Sequence, residues 1–142
     1  MKRILWIENN LAWPAPYVFA LGKRGFIAEG ADTLTLAEDL LNRIRYDLVI
    51  INVSMPTTAG EEKFYPPAVT DRGRKSGLVL YRRHKEKLAQ QKTKVMVLTV
   101  RMDTLIQEEF IAEGLPPANF NTKLDLREVS DFAAKVEEIM AA

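Results

Sequence analysis

The chain has 142 residues, 47 % of them hydrophobic, with a formal net charge of +1, no cysteine and one histidine. That length suits one domain around one core. The absent thiols exclude a disulfide framework, a thiol nucleophile and a cysteine metal site, and the lone His84 makes a histidine zinc site untenable. The near-neutral balance argues neither for nor against nucleic acid.

The chain opens basic (Lys2-Arg3) and then apolar (Ile4-Leu5-Trp6-Ile7). The apolar run stops at Glu8, too short for a signal-peptide core or a membrane span, so a soluble cytoplasmic protein is expected. Residues 4–7 read as a buried strand with Trp6 in the core. Prolines 14 and 16 suit a first helical turn, and that helix would stop near Gly22 or Gly25. Trp13, beside these prolines, is the better candidate for an exposed contact. Residues 26–30 read as a strand. Thr35-Leu36-Ala37-Glu38 matches a capping box, and Leu36, Leu40, Leu41 and Ile44 form a helical stripe behind it.

Tyr46-Asp47 opens the run Leu48-Val49-Ile50-Ile51-Asn52-Val53-Ser54-Met55-Pro56. It is too short for a buried helix and suits a strand covered on both faces. Pro56 turns the chain out of the sheet and leaves Asn52, Val53 and Ser54 at the strand's carboxyl end, where open α/β sheets bind ligands. Residues 57–75 fit no period and are long for a loop. With Tyr65-Pro66-Pro67 as a rigid spacer and few apolar anchors, this segment is expected to be the first cut by trypsin.

A helix follows from Gly77 to Leu88 with Leu78, Tyr81 and Leu88 on or near one face, and His84 is expected at its surface or half-buried. Residues 94–100 form a strand ending in the Thr99 hydroxyl. A helix over 103–113 closes on Gly114, a good residue just past a helix end. A short strand at 119–123 and a helix starting at Asp125 complete the chain. Five strand–helix alternations imply a parallel sheet with helices on both faces, without an internal repeat or a second domain. Between Asp71 and Lys94 lie nine Lys/Arg against Asp71 and Glu86. Such a stripe usually marks a solvated helix face, and nucleic-acid binding is not expected.

In the order and spacing of these pieces the chain resembles the receiver domain of two-component response regulators over nearly its whole length. The resemblance rests on residues 4–7 leading to a polar cluster, on 47–56, on the Gly77 helix, on Val97-Leu98-Thr99 and on Phe120-Asn121-Thr122-Lys123. It implies a flavodoxin-like, doubly wound α/β fold with sheet order 2-1-3-4-5 and a single domain over 1–142, expanded by an insertion at about 57–75. Receivers place an acidic pair after the first strand, an aspartate nucleophile after the third, a hydroxyl after the fourth and a lysine after the fifth. They bridge the acids and the phosphoryl group with magnesium. Here these positions hold Glu8 and Asn9, Asn52, Thr99 and Lys123, with Phe120 as the switch aromatic and Leu124 where a proline is usual.

An acyl phosphate needs a carboxylate nucleophile, and a carboxamide supplies none. Magnesium favours carboxylates and water, and one carboxylate remains here where receivers have roughly three. The resemblance therefore implies a degenerate pocket with no catalytic residue, no cofactor and weak or absent magnesium binding. Asn52 reads as a natural loss of the phosphoacceptor rather than an engineered Asp→Asn change, since Asn9 departs from the pattern too. Glu8 and Lys123 are expected to pair over the Asn52 amide without a cation, partly exposed and contributing about 1 kcal/mol or less. Thr99 is expected to bond to local backbone.

The implied function is a non-phosphorylated signalling or scaffolding module, not an enzyme, with a signalling protein as partner. A second copy of the chain is an alternative partner, and no membrane contact is expected. The expected contact face combines the 103–113 helix, the 119–123 strand and the 126–140 helix. Three other readings stay open: an atypical phosphoreceiver, Ser54 as substitute acceptor, and a small-ligand or nucleotide sensor using the receiver pocket.

Overall fold

The computed structural model describes residues 2–12, 14–101 and 103–142; Trp13, the candidate exposed contact, lies outside them. Five strands form one parallel sheet in the order β2-β1-β3-β4-β5. They are β1 (Lys2–Ile7), β2 (Phe26–Ala31), β3 (Leu48–Ile51), β4 (Lys94–Thr99) and β5 (Phe120–Thr122). β1 and β3 are central and almost entirely buried, as their unbroken apolar runs require.

Side chains alternate across each strand and divide the core in two. Ile4, Trp6, Leu48, Ile50, Met96 and Leu98 face α1 (Ala15–Lys23) and α6 (Val129–Ala141). There Phe132 stacks on Trp6 at 5.1 Å between ring centroids and meets Tyr17 edge-on at 5.2 Å. Leu5, Ile7, Val49, Ile51, Val95 and Val97 face the opposite core, built with α2 (Leu34–Arg43), α4 (Ser76–Gln90) and α5 (Thr104–Ala112). The fold is a three-layer, doubly wound α/β sandwich of the flavodoxin-like type. No helix among the described residues is long and apolar enough to cross a membrane.

Four local expectations are corrected. α2 is capped by Thr33, whose hydroxyl accepts from the Leu36 N–H, so the Thr35/Glu38 pattern is not a capping box. Its buried stripe is Leu34, Ala37 and Leu41, with Leu36 turned outward. α6 starts at Val129 rather than at Asp125; residues 123–126 form a separate turn, in which the Asp125 N–H goes to the Thr122 hydroxyl at 3.2 Å and the Leu126 N–H to the Thr122 carbonyl. His84 is buried.

A further correction concerns the insertion. It holds a 3₁₀ turn (Glu61–Lys63) and α3 (Pro67–Thr70), with Glu61, Tyr65 and Thr70 buried. Its anchors are polar, which is why an apolar count missed them. The Glu61 carboxylate accepts from the Thr35 N–H at 2.8 Å, the Thr35 hydroxyl at 2.7 Å and the Thr58 N–H at 3.0 Å. An anion at the start of α2 also meets the positive end of the helix dipole.

At its far end the insertion delivers α4 onto β3. The Gly77 N–H donates to the Val53 carbonyl at 2.9 Å. A Cβ on Gly77 would lie 2.3 Å from the Asn52 carbonyl oxygen, so only glycine permits this approach.

Candidate functional site

The carboxyl ends of β1 and β3 are held in line by two backbone bonds that extend the sheet. Glu8 N–H donates to Ala31 O at 2.9 Å, and Asn52 N–H to Ile7 O at 3.0 Å. These bonds fix the backbones from which the Glu8 and Asn52 side chains meet. The Asn52 amide nitrogen lies 3.0 Å from Glu8 Oε2, 3.1 Å from Asn9 Oδ1 and 3.1 Å from Ser54 O. An amide nitrogen is a donor, so it suits a cage of three acceptors.

The other Glu8 oxygen, Oε1, accepts from the Lys123 ammonium. Lys123 is steered there by its own backbone, whose N–H donates to Thr99 O at 2.7 Å beyond the end of β5. Thr99 is buried, and its hydroxyl accepts from the Arg101 N–H at 3.0 Å, a local turn bond. Ser54 donates its hydroxyl to Arg74 O at 3.2 Å, and Arg101 donates a guanidinium N–H to the same carbonyl at 2.9 Å. Phe120 stands apart from this cluster, tilted against Phe110 with ring centroids 5.7 Å apart.

Glu8, Asn9, Asn52 and Lys123 thus converge directly, with Thr99 joined through the Lys123 backbone. One carboxylate faces one ammonium, and an uncharged amide stands between the neighbouring oxygens. Glu8 is only 2 % exposed and Lys123 is half-buried, so the pair is part-buried and its carboxylate lies deeper than the sequence suggested. Receivers use magnesium at this place. The donor set here does not fit it: the one carboxylate already accepts from Lys123 and from Asn52, and the Asn9 oxygen accepts from Asn52. Among the described residues no group of three His, Asp or Glu side chains is placed to hold a metal ion.

A second constellation was not legible in the sequence. The insertion, α2 and α4 line an open cavity of about 670 Å³ whose wall includes Thr35, Glu38, Phe64, Tyr65, Arg83 and His84. His84 Nε2 donates to Glu38 at 2.7 Å, and the Tyr65 hydroxyl donates to the other Glu38 oxygen. Burial pushes the Glu38 carboxyl up, but the His84 and Tyr65 hydrogen bonds, with the Arg83 charge, outweigh it and hold the group below its usual range. Burial, then the Glu38 carboxylate, pushes the Tyr65 phenol far up, so it stays a donor. The only signal in the sequence was the unexplained length of the insertion.

Part of the basic stretch is paired with acids. Arg82 and Lys85 share Glu113 at 2.9 and 3.0 Å, and Lys75 meets Glu109 at 2.9 Å. The Lys85 and Arg82 hydrogen bonds hold the Glu113 carboxyl below its usual range.

The sequence matches no family model and no curated protein. Solved structures do match. A response regulator from Thermotoga maritima superposes with a TM-score of 0.74 at 20 % identity, covering 100 % of this chain and 99 % of that one. An orphan response regulator of H. pylori gives 0.72 at 20 % identity, over 98 % and 96 % of the two chains. The beryllofluoride-activated NtrC4 receiver domain, a dimer in solution, gives 0.74 at 19 % identity, over 99 % and 98 %. The chain has the fold of a response-regulator receiver domain.

Proposed function

We propose that the protein is a pseudo-receiver: a cytoplasmic signalling or scaffolding module that works through protein contact, without catalysis and without phosphorylation. One observation carries this reading. The residue at the phosphoacceptor position, Asn52, donates its amide to the carboxylate that would otherwise help hold magnesium, and Lys123 neutralises that carboxylate. The pocket is thereby closed on itself in one state, with neither a nucleophile nor a vacant cation site. Ser54 is a poor substitute acceptor, because its hydroxyl donates to a backbone carbonyl and makes no hydrogen bond to a base among the described residues.

The partner would dock on the face shared by α5, β5 and α6, where Leu105 is 69 % exposed. It would be a signalling protein or a second copy of the chain, the latter by analogy with the NtrC4 receiver dimer. Calorimetric titration of the full chain with magnesium tests the closed pocket. Affinity in the millimolar range or weaker is expected; micromolar binding would mean that the pocket opens to a cation and would end the proposal.

A further inference from the structure

The cavity under the insertion shares no lining residue with the Asn52 pocket, and its chemistry is different. Its volume of about 670 Å³ lies within the range of roughly 300–1,000 Å³ common to small-molecule sites. The Phe64 ring beside it is 69 % exposed, an apolar surface that a ligand could cover, while Tyr65 is buried in the wall.

The polar groups sort by what each has left to give. Glu61 accepts three hydrogen bonds from Thr35 and Thr58. Each Glu38 oxygen takes one donor, from Tyr65 and from His84. Those four side chains are committed to each other and to α2. Arg83 differs. Its guanidinium lies over the Tyr65 ring at 4.4 Å and gives one N–H to the Phe64 carbonyl. Its charge also acts on Glu38 and on the Tyr65 hydroxyl, and the residue is exposed, which leaves its guanidinium open to a ligand from solvent. A guanidinium has five N–H donors in a fork that matches a carboxylate, and only one of them goes to the Phe64 carbonyl.

We propose that this cavity binds a small organic anion, an aromatic or apolar carboxylate, with its apolar body against Phe64 and Tyr65 and its carboxylate on Arg83. Buried Glu61 and half-buried Glu38 set its orientation, because they repel an anionic head from the inner wall and leave Arg83 as the place for it. A cationic ligand would meet Arg83 as a like charge, and a neutral one would leave the fork unused. The inference does not depend on how the Asn52 pocket is read, since no residue is common to both.

The test is a titration of the isotope-labelled full chain, followed by amide chemical shifts, with three probes of one body: naphthoate, naphthylmethanol and naphthylmethylammonium. Naphthoate should give saturable shifts confined to residues 35–38, 58–65 and 83–84. Loss of the charge-assisted bonds should make the alcohol about tenfold weaker, and the ammonium probe should not saturate. Arg83→Gln should erase the preference for naphthoate over the alcohol, Arg83→Lys should keep part of it, and Phe64→Ala should weaken both. If a variant fails to fold, the ranking of the three probes on the unaltered chain decides. No saturable shift with naphthoate, shifts elsewhere, equal binding of all three probes, or an Arg83→Gln chain that still prefers naphthoate would overturn the proposal.

Discussion

The Lys123 ammonium closes on the Glu8 carboxylate at the carboxyl edge of the sheet, with only 2 % of the Glu8 side chain and 14 % of the Lys123 side chain exposed. A pair at this depth behaves differently from one on the surface. Its net contribution is small, but removing one partner strands a charge that water cannot reach. Lys123→Met should therefore cost about 3 kcal/mol or more, well above the 1 kcal/mol that partial exposure implied. Glu8→Gln combined with Lys123→Met should recover much of the loss. Urea denaturation of the single and double variants measures both, and a Lys123→Met chain as stable as the parent would show that the pair is solvated.

Asn52 suits this arrangement because it donates. An aspartate in the same rotamer would set a second carboxylate oxygen about where the amide nitrogen now stands, 3.0 Å from Glu8 Oε2. Like charges that close cannot both stay ionised without a cation. Asn52→Asp should lower stability at neutral pH and regain part of it with added magnesium. Glu8→Asp, Asn9→Asp and Asn52→Asp together should restore measurable magnesium binding. Melting curves with and without the metal check both; a triple variant blind to magnesium would contradict the account of the pocket.

Gly77 gives a prediction whose sign separates two effects. In a solvated helix, glycine to alanine stabilises by about 1 kcal/mol. Here the new Cβ would lie 2.3 Å from the Asn52 carbonyl oxygen, 2.9 Å from Ile51 Cγ2 and 3.0 Å from Val53 Cα. Two of those three neighbours are backbone atoms of the β3 exit and cannot swing aside. Gly77→Ala should destabilise by about 2 kcal/mol or more, and the Asn52 amide resonances should shift. A stabilised variant would show that α4 does not sit this close to β3.

Glu61 gives the chain a pH dependence. Burial pushes its carboxyl up, but the Thr35 hydroxyl and the Thr58 and Thr35 N–H groups outweigh burial and hold it below its ordinary 4.5. Between the folded and unfolded values the unfolded chain binds more protons, so stability rises with pH there. The contribution is complete above about 4.5 and is lost as pH falls through the lower folded value, and Glu38 acts in the same direction. Glu61→Gln should flatten this acid limb in urea titrations below pH 5. An unchanged slope would show that Glu61 does not tie the insertion to α2.

The sheet was legible in the sequence because β1 and β3 are buried on both faces and read as unbroken apolar runs. The convergence of Glu8, Asn52 and Lys123 was legible only through the spacing of whole motifs, since more than forty residues separate each from the next. What stayed hidden was tertiary. Thr35 and Glu38 carry the letters of a capping box, yet Thr35 serves Glu61 and Glu38 serves Tyr65 and His84, all distant in the chain. The insertion read as unanchored because its anchors are a carboxylate and a phenol, which score as polar until their partners are known. The depth of Glu8 was hidden for the same reason.

The account turns on whether the Asn52 pocket can accept a phosphoryl group, and intact mass spectrometry of the full chain after incubation with acetyl phosphate and magnesium asks this most directly. An unchanged mass is predicted for the native chain, because the amide at Asn52 offers no nucleophile and the Glu8–Lys123 pair leaves no carboxylate free for the metal. A stoichiometric phosphate adduct on any residue of the pocket, Ser54 included, would contradict it.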